Sequence, residues 1–310
     1  GLRDRGIDPA GLFTGEGHAP ALVWADEAGR ASVGAEALDC PDWLLPRLQA
    51  ALGAECEAVL QAMRQRAPVF LRVNLAKASV AAAQAALAED GIGAVLSPIA
   101  KTALEVTENA RKVQTSRAYA DGLVELQDAA SQAVVQALPL RDGMVVLDYC
   151  SGGGGKALAM AAQAELTLFA HDAEARRMKD IPARAARARA AIRITENPAV
   201  AAPYDLILTD VPCSGSGSWR RDPQGKWALT EARLAELLVI QAAILDKAAG
   251  LVAPKGVLAY ATCSMLAEED EAQIAAFLVR HPGWICTGQQ RFSPLSGADG
   301  FFLAQLTRKP

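Results

Sequence analysis

The sequence is poor in the residues that hold metals. It has three scattered histidines and six cysteines (Cys40, Cys56, Cys150, Cys213, Cys263 and Cys286), with no Cys-x-x-Cys pair among them. Nothing there has the spacing of a zinc site, so no metal is expected. Sparse, unpaired thiols in a long chain fit a reducing compartment, and the expected location is cytoplasmic. Also missing is an apolar run approaching the roughly 18 residues of a membrane-spanning helix. The opening GLRDRGIDPAG lacks the apolar core of a signal peptide, and without an initiator Met it reads as a trimmed start. Positive charge is not in excess either. With a net charge of −4, any nucleic-acid binding has to come from a local basic face. Alanine richness aside, there is no repeat or low-complexity tract.

What is present is 310 residues, 51% apolar and 21% charged, enough for one large domain and a smaller one. Residues 1–68 read as a helical segment, in which PDWLLPRLQAALGAECEAVLQAMRQ has the spacing of two short amphipathic helices. Residues 69–120 give a short strand, an Ala-rich helix, a Gly turn and two further β-prone pieces, a small α/β domain. From residue 121 to 310, the runs MVVLDYC, LTLFAHD, AAIRIT, YDLILTD and GVLAYATC alternate with helical sequence, which implies a parallel sheet covered on both faces. A helix over EEDEAQIAAFLVRH and an edge strand FFLAQLTRK close the reading.

The first of those strands runs into DYCSGGGGKALAMAA. Glycines at a strand-to-helix turn let backbone approach a ligand, and the helix N-terminus offers free N–H groups. The loop is not a P-loop, because Cys150 and Ala157 stand where that motif needs Gly and Ser or Thr. It also fits the dinucleotide fingerprint poorly. Asp172 ends the second strand, twenty residues beyond Gly152, where an acid can accept from ribose hydroxyls or simply cap the turn before AEARRM. Together the loop and Asp172 favour a nucleoside cofactor. Asp210, Cys213 and Cys263 fall at the carboxyl ends of later strands, where ligands of such sheets gather. A lone cysteine is usually a small buried hydrophobe, and Cys150 is read that way. Cys213 and Cys263 both sit in strand-to-loop turns beside Ser, a setting in which a thiol can meet a substrate.

Taken in order, LRVN, ELQDAASQ, LDYCSGGGGK, DVPCSGSG, RRDPQGKW, YATCSM and DGFFLAQL resemble the RNA cytosine-5 methyltransferases of the Nop2/Sun type, from about residue 41 onward. The resemblance implies an α/β Rossmann-like methyltransferase domain with a mostly parallel seven-stranded sheet. It implies S-adenosylmethionine as cofactor, bound by Cys150, Ser151, Gly152, Gly153, Gly154, Gly155 and Lys156 with Asp172 on the ribose. Cys263 would be the nucleophile and Cys213 the residue that helps release product, with Asp210 on the cytosine edge and Lys156 nearby. Carbon-5 of cytosine is too weak a nucleophile to take a methyl group until a thiolate adds at carbon-6. Two thiols then make sense, one to form the adduct and one to help break it.

Two departures from the family pattern bear on cofactor affinity. Gly153 replaces the loop proline, and Glu196, or else Asn197, must replace the Asp after the third strand. Downstream, WRRDPQGKW interleaves Trp219 and Trp227 with Arg220, Arg221 and Lys226, a pattern suited to gripping RNA or, alternatively, to a solvated loop with buried tryptophans. The basic run of residues 176–193 reads as a solvated helix face, while Arg111, Lys112 and Arg117 add a basic patch to the small domain. The expectation is a monomeric enzyme methylating carbon-5 of cytosine in RNA, ribosomal (16S) before transfer RNA. A non-catalytic RNA-binding assembly factor on the same fold is the rival from another class, and an NAD oxidoreductase a third.

Overall fold

The computed structural model describes residues 7–22 and 32–310. The start of the chain, read above as trimmed, lies outside the described residues up to residue 6. Two helices, α2 (Leu45–Leu52) and α3 (Cys56–Met63), follow the short α1 (Gly34–Ala37). The expected pair of amphipathic helices is therefore present. Leu44, Leu48, Val59 and Leu60 form its buried face and pack on Trp219, Leu234, Met265 and Leu266.

The small domain is a four-stranded antiparallel sheet in the order β2-β3-β1-β4, built from β1 (Val69–Val73), β2 (Ala94–Leu96), β3 (Ala103–Val106) and β4 (Val124–Leu126). Helix α4 (Val80–Glu89) starts where Ser79 accepts from the Ala82 amide and buries Ala83 and Leu87 against the sheet. After α5 (Arg117–Ala120), β4 brings the chain back beside β1, so this sheet draws on residues beyond 120.

The second sheet has seven strands in the order β10-β11-β9-β8-β5-β6-β7: β5 (Val145–Asp148), β6 (Thr167–Ala170), β7 (Ile192–Ile194), β8 (Tyr204–Asp210), β9 (Val252–Thr262), β10 (Trp284–Phe292) and β11 (Phe301–Arg308). Strands β5 to β9 are mutually parallel and β11 is antiparallel to both its neighbours. β8 is buried along nearly its whole length, as a central parallel strand must be. One face is covered by α6 (Ala129–Gln136) and α7 (Gly155–Ala161), the other by α10 (Glu231–Ala249) and α11 (Glu271–Arg280). Helices α8 (Ile181–Ala188) and α9 (Pro223–Ala228) complete the set.

One expectation is corrected. FFLAQLTRK is not an edge strand, because β11 lies between β9 and β10 and is buried for most of its length. The edge belongs to β10, whose WICTGQQRF is largely exposed and reads as polar loop sequence.

Candidate active site

Strand order reverses between β5 and β8, and the crevice beyond their carboxyl ends is where open α/β sheets bind ligands. β5 ends in Asp148 and β8 in Asp210. The loop after β5 bends through Gly152 and Gly154, with φ of +50° and +80°, into α7. A Cβ on Gly154 would stand 2.8 Å from the Ile181 side chain, so both backbone and space require glycine there. Gly153 lies outside the left-handed region, and its carbonyl accepts from Arg184.

A cavity of about 460 Å³ opens against this loop, lined by Asp148, Cys150, Ser151, Gly152, Gly153, Gly155, Lys156, Arg177, Asp210, Cys213 and Cys263 among others. Both carboxylate oxygens of Asp148 and the Ser151 hydroxyl are buried there without a hydrogen-bond partner among the described residues. Burial first, and then the neighbouring Asp210, push the Asp148 pKa up to about 7, against the pull of Lys156 and of the Ala157 amide, which lies close but outside regular hydrogen-bond geometry. Burial likewise holds the Cys150 thiol protonated, so this cysteine is an inert wall.

Asp172 stands behind the loop and is absent from the cavity lining. Its oxygens accept from the Gly152 and Glu174 amides, each at 2.9 Å, with Arg177 at 3.3 Å. It thus caps the following turn and fixes the glycine loop at once. Glu196 is exposed and also outside the lining, and Asn197 is engaged in capping the Ala199 amide.

Lys156 Nζ meets Asp210 at 2.6 Å and lies 4.9 Å from the centre of the Phe301 ring. Burial opposes its charge, but Asp210 more than compensates and raises the Lys156 pKa. The two sulfurs of Cys213 and Cys263 are 3.4 Å apart. The hydrogen bond to Cys263, burial and the nearby charges push the Cys213 thiol well above its ordinary range. A second cavity of about 510 Å³, lined by Phe70, Asp128, Arg221, Asp299 and Phe301, shares Gln127, Ser131 and Cys263 with the first. Cys263 therefore faces both spaces, whereas Cys213 faces only the first.

The stretch expected to grip RNA is turned largely inward. Trp219 is 3% exposed, in the core that joins the N-terminal helices to the cysteine loops. Arg220 pairs with Asp299 at 3.0 Å, and Lys226 is buried against Asp39 at 2.7 Å. These three side chains face protein, so their charge and aromatic surface serve packing. Arg221 is more exposed and bridges Asp299 and Asp128 at the second cavity, and Trp227 is open to solvent. Arg111, Lys112 and Arg117 are exposed, with Arg117 paired to Glu89.

Sequence reading missed Asp148, Gln127, Ser131, Phe301 and Glu269. The first four stand inside LDYC, ELQDAASQ and DGFF, stretches that carried the resemblance. Glu269 had no such signal, since EEDE reads only as the start of the helix EEDEAQIAAFLVRH.

Comparison with known proteins decides the family. Residues 135–307 match the family model described as 16S rRNA methyltransferase RsmB/F, and residues 40–114 match its RsmF/B-like ferredoxin-like domain. The chain belongs to the RsmB/F family. Ribosomal RNA small subunit methyltransferase B of Klebsiella pneumoniae subsp. pneumoniae is 35% identical, over 87% of this chain and 66% of the relative. The enzyme of the same name from Erwinia tasmaniensis is also 35% identical, with the same coverage. The chain thus spans 66% of the length of these curated relatives. Among solved structures, PH0851 superposes with a TM-score of 0.82 at 29% identity, over 91% of this chain and 70% of the other. NSun6 from Pyrococcus horikoshii with SFG gives 0.76 at 17% identity, over 87% and 98%, and shares the fold. Among the described residues, no helix is long and apolar enough to cross a membrane, and no group of His, Cys, Asp and Glu could hold a metal.

Proposed function

We propose that this chain transfers a methyl group from S-adenosylmethionine to carbon-5 of a cytosine in RNA, with small-subunit (16S) ribosomal RNA as the target class, through a covalent adduct with Cys263. The observation that carries the reading is the position of Cys263 at the junction of two cavities, with a second thiol 3.4 Å away. Membership of the RsmB/F family and the names of its curated relatives support the RNA class. We assign the cofactor to the cavity at the glycine loop and the base to the one lined by Phe301.

The residues present suit the cofactor. The unpartnered Asp148 oxygens and Ser151 hydroxyl favour a ligand that is polar and carries positive charge. The amides of Ser151, Gly152 and Gly154 are engaged within the protein, so the start of α7 is where backbone donors can approach a ligand. A protein of the same fold is known with SFG, an S-adenosylmethionine analogue. When bound, S-adenosylmethionine supplies a methyl group on a cationic sulfur.

The chain's own residues do the rest. The Cys263 thiolate adds to carbon-6 of the base, and the displaced ring electrons make carbon-5 nucleophilic. Lys156, kept cationic by Asp210, sits beside this sulfur to offset the developing ring charge, while Asp210 can accept from the base amino group. After carbon-5 is methylated, it must lose its proton. The carbon-5 to carbon-6 double bond then re-forms and Cys263 leaves as thiolate. Cys213 holds its proton first of all because Cys263 is its partner. Once the Cys263 sulfur is bonded to carbon, that hydrogen bond is lost; Cys213 then gives its own proton to solvent, and its thiolate takes the proton from carbon-5.

Incubating each variant with RNA and cofactor tests this. Cys263→Ala should give neither product nor adduct. Cys213→Ala should accumulate an RNA–protein band that survives a denaturing gel. The opposite pattern would mean that the two sulfurs exchange roles, and no methylation of any RNA by the unaltered chain would sink the reading.

A further inference from the structure

Behind the two thiols lies a carboxylate that the chemistry above does not use. Glu269 is fully buried, with no cation among the partners of its carboxylate. One oxygen accepts from the Ser214 amide at 2.8 Å and from Gln241 Nε2 at 3.0 Å. The other accepts from the hydroxyls of Ser214 and Ser264, the latter at 2.6 Å. Ser214 directly follows Cys213, and Ser264 directly follows Cys263. One side chain therefore takes hydrogen bonds from both cysteine turns, which leave different strands and lie fifty residues apart.

The surrounding bonds run the same way. Gln241, on α10, donates from the same nitrogen to the carbonyl of Pro212, just before Cys213. The Ser216 hydroxyl contacts that of Ser264 at 3.0 Å and accepts from the Met265 amide. The Gly217 amide donates to the carbonyl of Cys263 itself at 2.9 Å. The backbone carbonyl of Glu269 accepts from Tyr260 on β9 at 2.6 Å, so the segment bearing the clamp is itself held to the strand that presents Cys263.

A buried carboxylate is costly unless its lone pairs are filled. Four donors fill them here, and three of the four come from the residues that follow the thiols. Such a network fixes relative position, because moving either turn leaves a buried oxygen short of a donor. We propose that Glu269 is a positioning residue that sets the spacing of Cys213 and Cys263 by clamping the turns that carry them. This rests on the proposed reaction for its purpose, but the spacing itself can be measured without that reaction.

The experiment uses the full chain and diamide, which takes two hydrogens from a thiol pair to close one disulfide and is itself reduced to the hydrazine. The rate of the Cys213–Cys263 crosslink, followed by mass spectrometry of the linked peptides, reports how the sulfurs are held. Unaltered protein should crosslink readily, and Glu269→Ala should do so at least about ten-fold more slowly. In the methylation assay the same variant should lose kcat by about 100-fold, the scale of an ångström-level misplacement, with KM for S-adenosylmethionine little changed. A folded Glu269→Ala chain that crosslinks at the unaltered rate overturns the proposal, as does unaltered protein that never forms this crosslink. If Glu269→Ala fails to fold, the milder Ser214→Ala/Ser264→Ala double variant decides by the same rate: slower supports the clamp, unchanged refutes it. Were the unaltered chain inactive on RNA, the reaction would fall while the difference in crosslinking would stand.

Discussion

Asp148 illustrates what a single residue contributes at this site. Its pKa rises from 3.8 to about 7, with burial the leading cause. An acid with a higher pKa in the folded state favours folding most fully below its unfolded value, and this advantage is lost as pH climbs through the folded pKa. About three units at roughly 1.4 kcal/mol each puts the loss near 4 kcal/mol between pH 4 and pH 7. Asp148→Asn should therefore melt progressively higher than the unaltered chain over that window and level off above it, as thermal melts across pH would record. The same change should weaken S-adenosylmethionine binding in calorimetry. A melting difference independent of pH would show that Asp148 bears no such strain. At this scale the sequence was readable where chemistry is local: the glycine loop and both cysteines stand in recognisable turns. It was not readable for Arg220 and Lys226, whose partners Asp299 and Asp39 are 79 and 187 residues away. Only the fold turns those cations inward.

Among the elements, the loops that close over the cysteines depend on two glycines in contact. The Gly217 carbonyl accepts from the Gly300 amide at 2.8 Å, and a Cβ on Gly217 would lie 2.0 Å from the Gly300 oxygen. That collision is with backbone and cannot be relieved by rotating a side chain. Gly217→Ala should cost about 1–3 kcal/mol or more, as overpacking does, and lower the melting temperature by several degrees, at about 2–4 °C per kcal/mol. A melt within a degree of the unaltered protein would show that the two loops separate easily. Strands β5, β6 and β8 were legible because buried parallel strands are short apolar runs between helices, whereas β7 is short and largely exposed. β10 was not, since an exposed edge strand keeps polar residues and leaves no such pattern. The place of β11 was hidden for another reason: strand order is a property of pairing, and no run of residues states its neighbours.

For the molecule as a whole, the small domain is tied to the glycine loop through a buried cation. Arg72 on β1 donates to the carbonyl of Gly155 at 2.7 Å and to Gln127, and burial lowers its pKa to about 10 without discharging it at neutral pH. Asn74 of the same strand donates to the carbonyls of Gly122 and Ala188. Arg72→Ala should cost roughly 1.5–3 kcal/mol, the range for a hydrogen bond to a charged group. It should also weaken S-adenosylmethionine binding if the cavity at the glycine loop takes the cofactor as proposed, though Arg72 lies outside that cavity's lining. Melting and calorimetry on one preparation would check both, and undiminished binding would show that the two domains act separately. The fold also orders events in time. β11 inserts between β9 and β10 although it is made after both, and Gly300, just ahead of it, grips the loop beside Cys213. A nascent chain carries both thiols long before it carries the strand that completes their sheet. A chain cut short before residue 301 would carry both thiols and Glu269 but lack the strand that lies between β9 and β10.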